Sequence, residues 1–263
     1  MSRLSSSVRS AARIAVLLLF TAIAAQAQEI HVMTSGALSA ELRELAPIFE
    51  RASGVTLVMV SGGSVAGATD SIPDRLRRGE RTDVLIMAAA GIDDLAKAGR
   101  VVAGSRVDLA RSSIGIAIRA GTPKPDISSV DALKRTLLNA GSVAYSSSVS
   151  GVYVSTELFA RLGIADQMRA KSRRVESEPV AVVVARGEAE IGFQQISELR
   201  PVAGVEVIGP LPAEVQRVTV FSAAAATSSA NPAGGRALIA FLASPAASAA
   251  IARSGMDPIA TAK

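Results

Sequence analysis

The chain has 263 residues, 49% of them hydrophobic, with a formal charge of +5, one histidine and no cysteine. That is enough apolar material for one large domain or two lobes, and it rules out a disulfide framework; with His31 as the lone imidazole it also argues against a zinc, copper or haem site. Three of the arginines fall in the first 13 residues and aromatics make up only 3% of the chain, so neither the charge nor the stacking platforms expected of a nucleic-acid binder are present.

Residues 1–27 read as a secretory signal peptide. Arg3, Arg9 and Arg13 precede a short apolar core, Ile14 to Ala25, and Ala25-Gln26-Ala27 gives a cleavage site before Gln28. No cysteine follows to carry a lipid, so the mature product is expected to be soluble in the periplasm.

Ile30 to Thr34 predicts a first strand, entering the turn Thr34-Ser35-Gly36-Ala37. Leu38, Leu42, Leu45 and Phe49 then repeat at helical spacing until Gly54. Val55–Val60 is a second strand. It runs into Ser61-Gly62-Gly63-Ser64-Val65-Ala66-Gly67, the stretch around which the rest is arranged, and then into a short helix with Ile72 and Leu76, broken early by Pro73. Val84 to Met87 is a third strand, and Ile92 and Leu95 mark the helix after it.

A transition is expected over Asp108–Ser113, ahead of a strand at Ile114–Ile118 and a turn-rich connector, Gly121 to Asp126. Val130, Leu133 and Leu137 form a helical face. Val143-Ala144-Tyr145 enters a third hydroxyl-rich turn, Ser146 to Gly151, and Val152, Leu158 and Leu162 line the helix leaving it. A helix from Pro179-Val180 to Gly187, strands at Glu190–Phe193 and Val205–Ile208, and a second transition at Pro210 and Pro212 follow. Val218–Ser222 is the last strand, Ala223–Ala230 a loop, and helices near 233–243 and 245–253 end the chain.

Strands alternating with helices indicate parallel βαβ units. The expected fold is α/β with two lobes, residues 28–110 plus 216–263 and residues 111–215, each a mixed, mostly parallel sheet flanked by helices. Ligands in such sheets sit at the carboxyl ends of the strands, where the three serine turns lie. A strand–turn–helix junction offers free backbone N–H groups and a positive helix end, and its hydroxyls add donors, so the expected ligand is a small anion held without a basic residue.

In order and spacing, the segments Val32-Met33-Thr34-Ser35-Gly36-Ala37-Leu38, Leu42–Gly54, Ser61–Ser64, Gly79–Val84, Ser150-Gly151-Val152-Tyr153 and Arg186–Phe193 resemble the molybdate-type periplasmic solute-binding proteins of ABC importers. The resemblance covers essentially the whole mature chain. It implies the type II periplasmic binding fold, capture of a molybdate- or tungstate-like oxyanion by closure of the two lobes, and docking on an inner-membrane ABC permease. It further implies a monomer with no cofactor and no metal site, the oxyanion being the cargo. Carried over residue by residue, the ligand-binding set is Ser64, Ser150, the backbone amide of Val180, Ala37 where the family has a serine (with Ser35 two residues earlier), and Gln195 where it has a tyrosine.

Two alternatives stand beside it. An organic carboxylate would call for an arginine fork, for which Arg75 and Arg111 are the candidates. A serine hydrolase would use Gly62-Gly63-Ser64-Val65-Ala66, a near match to G-x-S-x-G, but Ala66 replaces the last glycine and His31 precedes the serine. Gln194 and Glu198 read as structural or solvated, and the chain is expected not to be an enzyme.

Overall fold

The computed structural model describes residues 28–176 and 178–259; residues 1–27, read above as a signal peptide, lie outside them. In chain order the elements are β1 (Glu29–Thr34), α1 (Gly36–Ser53), β2 (Thr56–Ser61), α2 (Ile72–Arg77), β3 (Val84–Ala88), α3 (Ala89–Lys97), β4 (Val107–Arg119), α4 (Val130–Asn139) and β5 (Val143–Ser146). Then come α5 (Val149–Tyr153), a π-helical turn (Val154–Leu158), α6 (Phe159–Arg161), α7 (Ala165–Arg169), β6 (Ser172–Val175), α8 (Val180–Ala185), β7 (Ile191–Gln195), α9 (Ile196–Leu199), β8 (Val205–Pro210), β9 (Val218–Ala225), α10 (Pro232–Leu242), α11 (Pro245–Arg253) and β10 (Asp257–Pro258).

The strands run β2-β1-β3-β9-β4-β7-β5-β6, with β8 and β10 also paired to β4. The outer strands β2-β1-β3 and β7-β5-β6 pair in parallel; β9 and β4 pair antiparallel to their neighbours between them. This is the mixed α/β architecture read from the sequence. β4 is the element common to both ends: residues 107–113 pair with β9 and residues 114–118 with β7.

Both faces of the first half of the sheet are buried, so side chains alternate between two cores. Val84, Ile86 and Val32 face α1, α10 and α11 through Leu42, Phe49 and Leu238. Leu85, Met87 and Met33 face α2 and α3 through Ile72, Leu76 and Ile92. In the second half, Ile114, Ile116 and Ile118 pack with Leu133, Leu137 and Leu158, while Ala144 meets Val180 and Val184 on the other face. No single described helix is long and apolar enough to cross a membrane; α10 and α11 pass only as a pair bent by 62°.

Three local expectations change. Pro73 lies in the first turn of α2, where its missing N–H costs nothing, and does not break the helix. β9 runs on through Ala225 because Ala223, Ala224 and Ala225 are buried against β3, so packing overrides the weak strand propensity of alanine. β4 is continuous through the expected transition at Asp108–Ser113.

Asp83 ties the first half together. One carboxylate oxygen accepts from the His31 amide (2.7 Å); the other accepts from Ser229 Oγ (2.7 Å) and the amides of Ala230 (2.7 Å) and Asn231 (2.8 Å). Burial opposes the charge, but these donors outweigh it and hold the carboxyl below its usual range. Asp83→Ala strands three backbone N–H groups and is expected to cost about 3 kcal/mol, read as a drop in the midpoint of urea unfolding. In the parent protein this contribution is present at neutral pH and is lost as pH falls through the depressed carboxyl value.

Candidate functional site

A cavity of about 940 Å³ opens where the two halves of the sheet meet. Ser64–Ala66 and Ala88–Gly91 form one wall, Val149, Val152, Tyr153 and Glu157 the other, and Arg217–Val220 the back. The geometry follows from the parallel register. Thr34 pairs with both Ser61 and Ile86, so the turns after β1, β2 and β3 share one edge of the sheet. Ser35 N–H donates to the Ile86 carbonyl (2.7 Å), and the Ala88 N–H, at the start of α3, donates to Ser64 Oγ (3.2 Å). Gly62, two residues before that serine, is required by chain packing, since a Cβ there would collide with the Asp70 carbonyl.

Each expected ligand residue has a definite place. Ser64 is buried and lines the cavity. Ser35 precedes α1 and is buried, yet its hydroxyl neither caps that helix nor finds another partner among the described residues. Ala37 is buried, its carbonyl accepting from Ser197 Oγ (2.8 Å). Ser150 sits in the first turn of α5 with its hydroxyl 3.1 Å from Ser146 Oγ, one residue from the cavity-lining Val149. Gln195 ends β7 opposite Ile114; its Nε2 donates to Thr219 Oγ1 (3.3 Å) on the cavity wall, and its buried Oε1 has no partner among the described residues. An unpartnered buried oxygen is costly, and both Ser35 and Gln195 carry one, but of the six expected ligand residues only Ser64 lines the cavity.

Val180 is placed differently from the expectation. Its N–H already donates to Gln194 Oε1 (2.9 Å), whose Nε2 donates to Glu198 Oε1 (2.9 Å). Glu198 in turn sits over Gly36, where a Cβ would collide with its carboxylate, so the first turn of α1 faces a carboxyl of the protein itself. Gln194 and Glu198 are therefore built into this junction. Burial pushes the Glu198 carboxyl up to about 7; the Gln194 and Gln195 donors hold it back and Glu41 adds to the rise. Neither arginine proposed for a carboxylate lines the cavity: Arg75 bonds Glu80 (2.8 Å), and Arg111 is an exposed residue of β4.

Three arginines line the cavity: Arg77 (paired with Asp74), Arg100 and, at the back, Arg217, which the sequence reading passed over. Its Nη2 donates to Glu157 Oε2 (2.6 Å), and its guanidinium carbon lies 4.7 Å from the Tyr153 ring centroid. Tyr153 is fixed beneath it, donating its OH to the Val215 carbonyl (2.6 Å) and accepting from Arg161 (3.1 Å). The available signal was position, since Arg217 immediately precedes the strand that returns to the first half.

Residues 30–257 match the family model for bacterial extracellular solute-binding proteins. The chain belongs to this family. Its fold is that of the periplasmic binding proteins: the periplasmic molybdate-binding protein of Azotobacter vinelandii superposes with a TM-score of 0.71 at 22% identity, covering 89% of this chain and 100% of that one. Iron-bound HitA from Pseudomonas aeruginosa superposes at 0.61 and 16% identity, covering 90% and 88%. Over 230 residues the chain is 45% identical to a Pseudomonas sp. protein named aconitate isomerase, covering 88% of each.

That relative corrects the expectation that the chain is not an enzyme. The expectation rested on the absence of a nucleophile–histidine pair, but an isomerase rearranges one molecule and needs neither a covalent nucleophile nor a water to activate. Glu198 supplies a test of the local electrostatics. Its raised carboxyl binds a proton more tightly in the folded state than in the unfolded one, so stability is expected to fall as pH rises from about 4.5 to about 7. Glu198→Gln is expected to flatten that slope in thermal melts taken across the range.

Proposed function

We propose that this protein is an exported isomerase of a small polycarboxylate, aconitate, built on a solute-binding fold. The observation that carries the reading is the 45% identity to a relative of that name across 88% of both chains. The cavity supports it. Its walls combine anion-holding groups, Arg217, Ser64 and Thr219, with apolar surface from Leu76, Leu95, Val152 and Val218, the mixture a carbon skeleton bearing carboxylates requires. It is also roomy for a four-oxygen anion. A molybdate-like cargo is favoured less, because the Val180 amide is engaged by Gln194 and the Glu198 carboxyl faces the start of α1.

The chemistry asks little of the protein. Aconitate carries a C=C bond and a methylene group, each next to carboxylates. Removing a methylene proton leaves a carbanion delocalised over three carbons and the flanking carboxylates; returning the proton at the other end moves the double bond and can change its geometry. Atoms and electrons balance without a second reactant. In this reading one carboxylate pairs with Arg217, a charge-assisted and directional contact, and another takes the Ser64 hydroxyl and the amides at the start of α3. Ser35, Ser150 and Gln195 complete the enclosure as residues 28–110 with 216–263 close on residues 111–215 about β4 and β9. Ligand contacts on both lobes favour the closed state.

Delivery of the bound anion to an ABC permease is a second reading, favoured by the family itself. Proton NMR of purified protein with cis- or trans-aconitate separates the two. Conversion of either isomer toward a common mixture is expected under the enzyme reading; a shift in melting temperature without conversion would favour the carrier. Arg217→Ala is expected to raise KM at least tenfold, and Ser64→Ala to weaken binding about tenfold through loss of one charge-assisted donor.

A further inference from the structure

Among the described residues two acidic side chains line the cavity, Asp94 and Glu157. Asp94 is largely exposed on α3 and is paired with Lys97 (2.9 Å) one turn on. Glu157 instead comes from the π-helical turn Val154–Leu158, where the Phe159 N–H reaches back to the Val154 carbonyl in place of a normal helical bond. Such turns re-aim side chains and recur at functional sites. Here Glu157 meets Arg217, which is steadied over the Tyr153 ring. Apart from Asp94 and Glu157, no described residue lining the cavity carries a carboxylate, an imidazole or a thiol. The one histidine, His31, is half-exposed and lies beside Glu29; there is no cysteine; and the Tyr153 hydroxyl is engaged on both sides.

We infer that Glu157 is the base that takes the methylene proton of the bound polycarboxylate and returns it to the far end of the allylic system, with Arg217 exchanging its partner from Glu157 to the substrate. The inference rests on the isomerase reading above. An arriving carboxylate competes with Glu157 for the guanidinium. Once displaced, Glu157 remains beside the cation and therefore beside the carbon attached to the carboxylate that replaced it. Arg217 then neutralises the substrate carboxylate next to the C–H bond and stabilises the charge that builds there. The C–H bond breaks toward a Glu157 oxygen, its electron pair spreads over the allyl carbons, and the new C–H bond forms from the same carboxylic acid. Both partners are about half-exposed, with side-chain exposures of 49% for Arg217 and 47% for Glu157, so the pair is open to exchange.

The test uses the purified protein, its Glu157→Gln, Glu157→Asp and Asp94→Asn variants, and aconitate in D₂O followed by proton NMR. Glu157→Gln is expected to lower kcat at least 100-fold, to suppress deuterium entry at the methylene carbon to the same degree, and to keep the stabilisation of the melt by trans-aconitate. Glu157→Asp is expected to recover part of the rate with a shifted pH profile. If Glu157→Gln isomerises within about fivefold of the parent, or if Asp94→Asn and not Glu157→Gln abolishes the rate, the assignment is overturned. A parent protein that shows no isomerisation at all would instead overturn the isomerase reading, so the two failures are distinguishable.

Discussion

The molecule depends on one strand satisfying two different sheets. β4 must give up β9 after Ser113 and take β7 from Ile114, and at that handover its backbone polar groups need partners that neither neighbour supplies alone. The Gln216 side chain fills the gap: its Oε1 accepts from the Ile114 N–H and its Nε2 donates to the Ile114 carbonyl, each at 3.0 Å. The cavity lies at this crossing because two strand bundles that share a central strand leave a crevice where they diverge. Arg217 follows the clamp residue directly, and Gln195 and Thr219 stand opposite Ile114 and Ser112 on β4. The cavity is thus seated where the two halves share their central strand.

Much of this was legible in the residues because it depends on local pattern. Leu38, Leu42, Leu45 and Phe49 describe one face of α1, and Gly54, at φ 72°, ends it as expected of a glycine in the left-handed region. The serine turns were legible as turns, and Ser35 and Ser64 do share one edge of the sheet. What escaped has a common cause. β6 is a four-residue edge strand, Ser172 to Val175, whose Arg173 and Arg174 are exposed and paired with Glu188 and Glu176; such edges are charged to resist pairing and do not look like strands. The engagement of the Val180 amide and the pairing of Arg217 with Glu157 join residues 14 and 60 positions apart, which no spacing rule reaches.

The Gln194–Glu198 pair occupies the Val180 amide and the start of α1. A site of neutral donors suits a compact anion that brings all the negative charge. Setting a carboxyl against the first turn of α1 and a side-chain carbonyl on the amide of Val180 gives part of that charge to the protein, and the open space lies instead toward Arg217 and the apolar wall. Glutamate is well suited to this place, because its third position in α9 also lets it accept from the Gln195 amide that begins the helix.

The position of β9 carries a consequence for biogenesis. This strand, residues 218–225, is inserted between β3 and β4, and Asp83 waits for residues 229–231 to complete its set of donors. The amino-terminal sheet therefore lacks its middle and its knot until nearly the whole polypeptide has been made. Contacts so distant along the chain form slowly. Joining of residues 218–231 is therefore expected to be among the last steps by which that sheet closes.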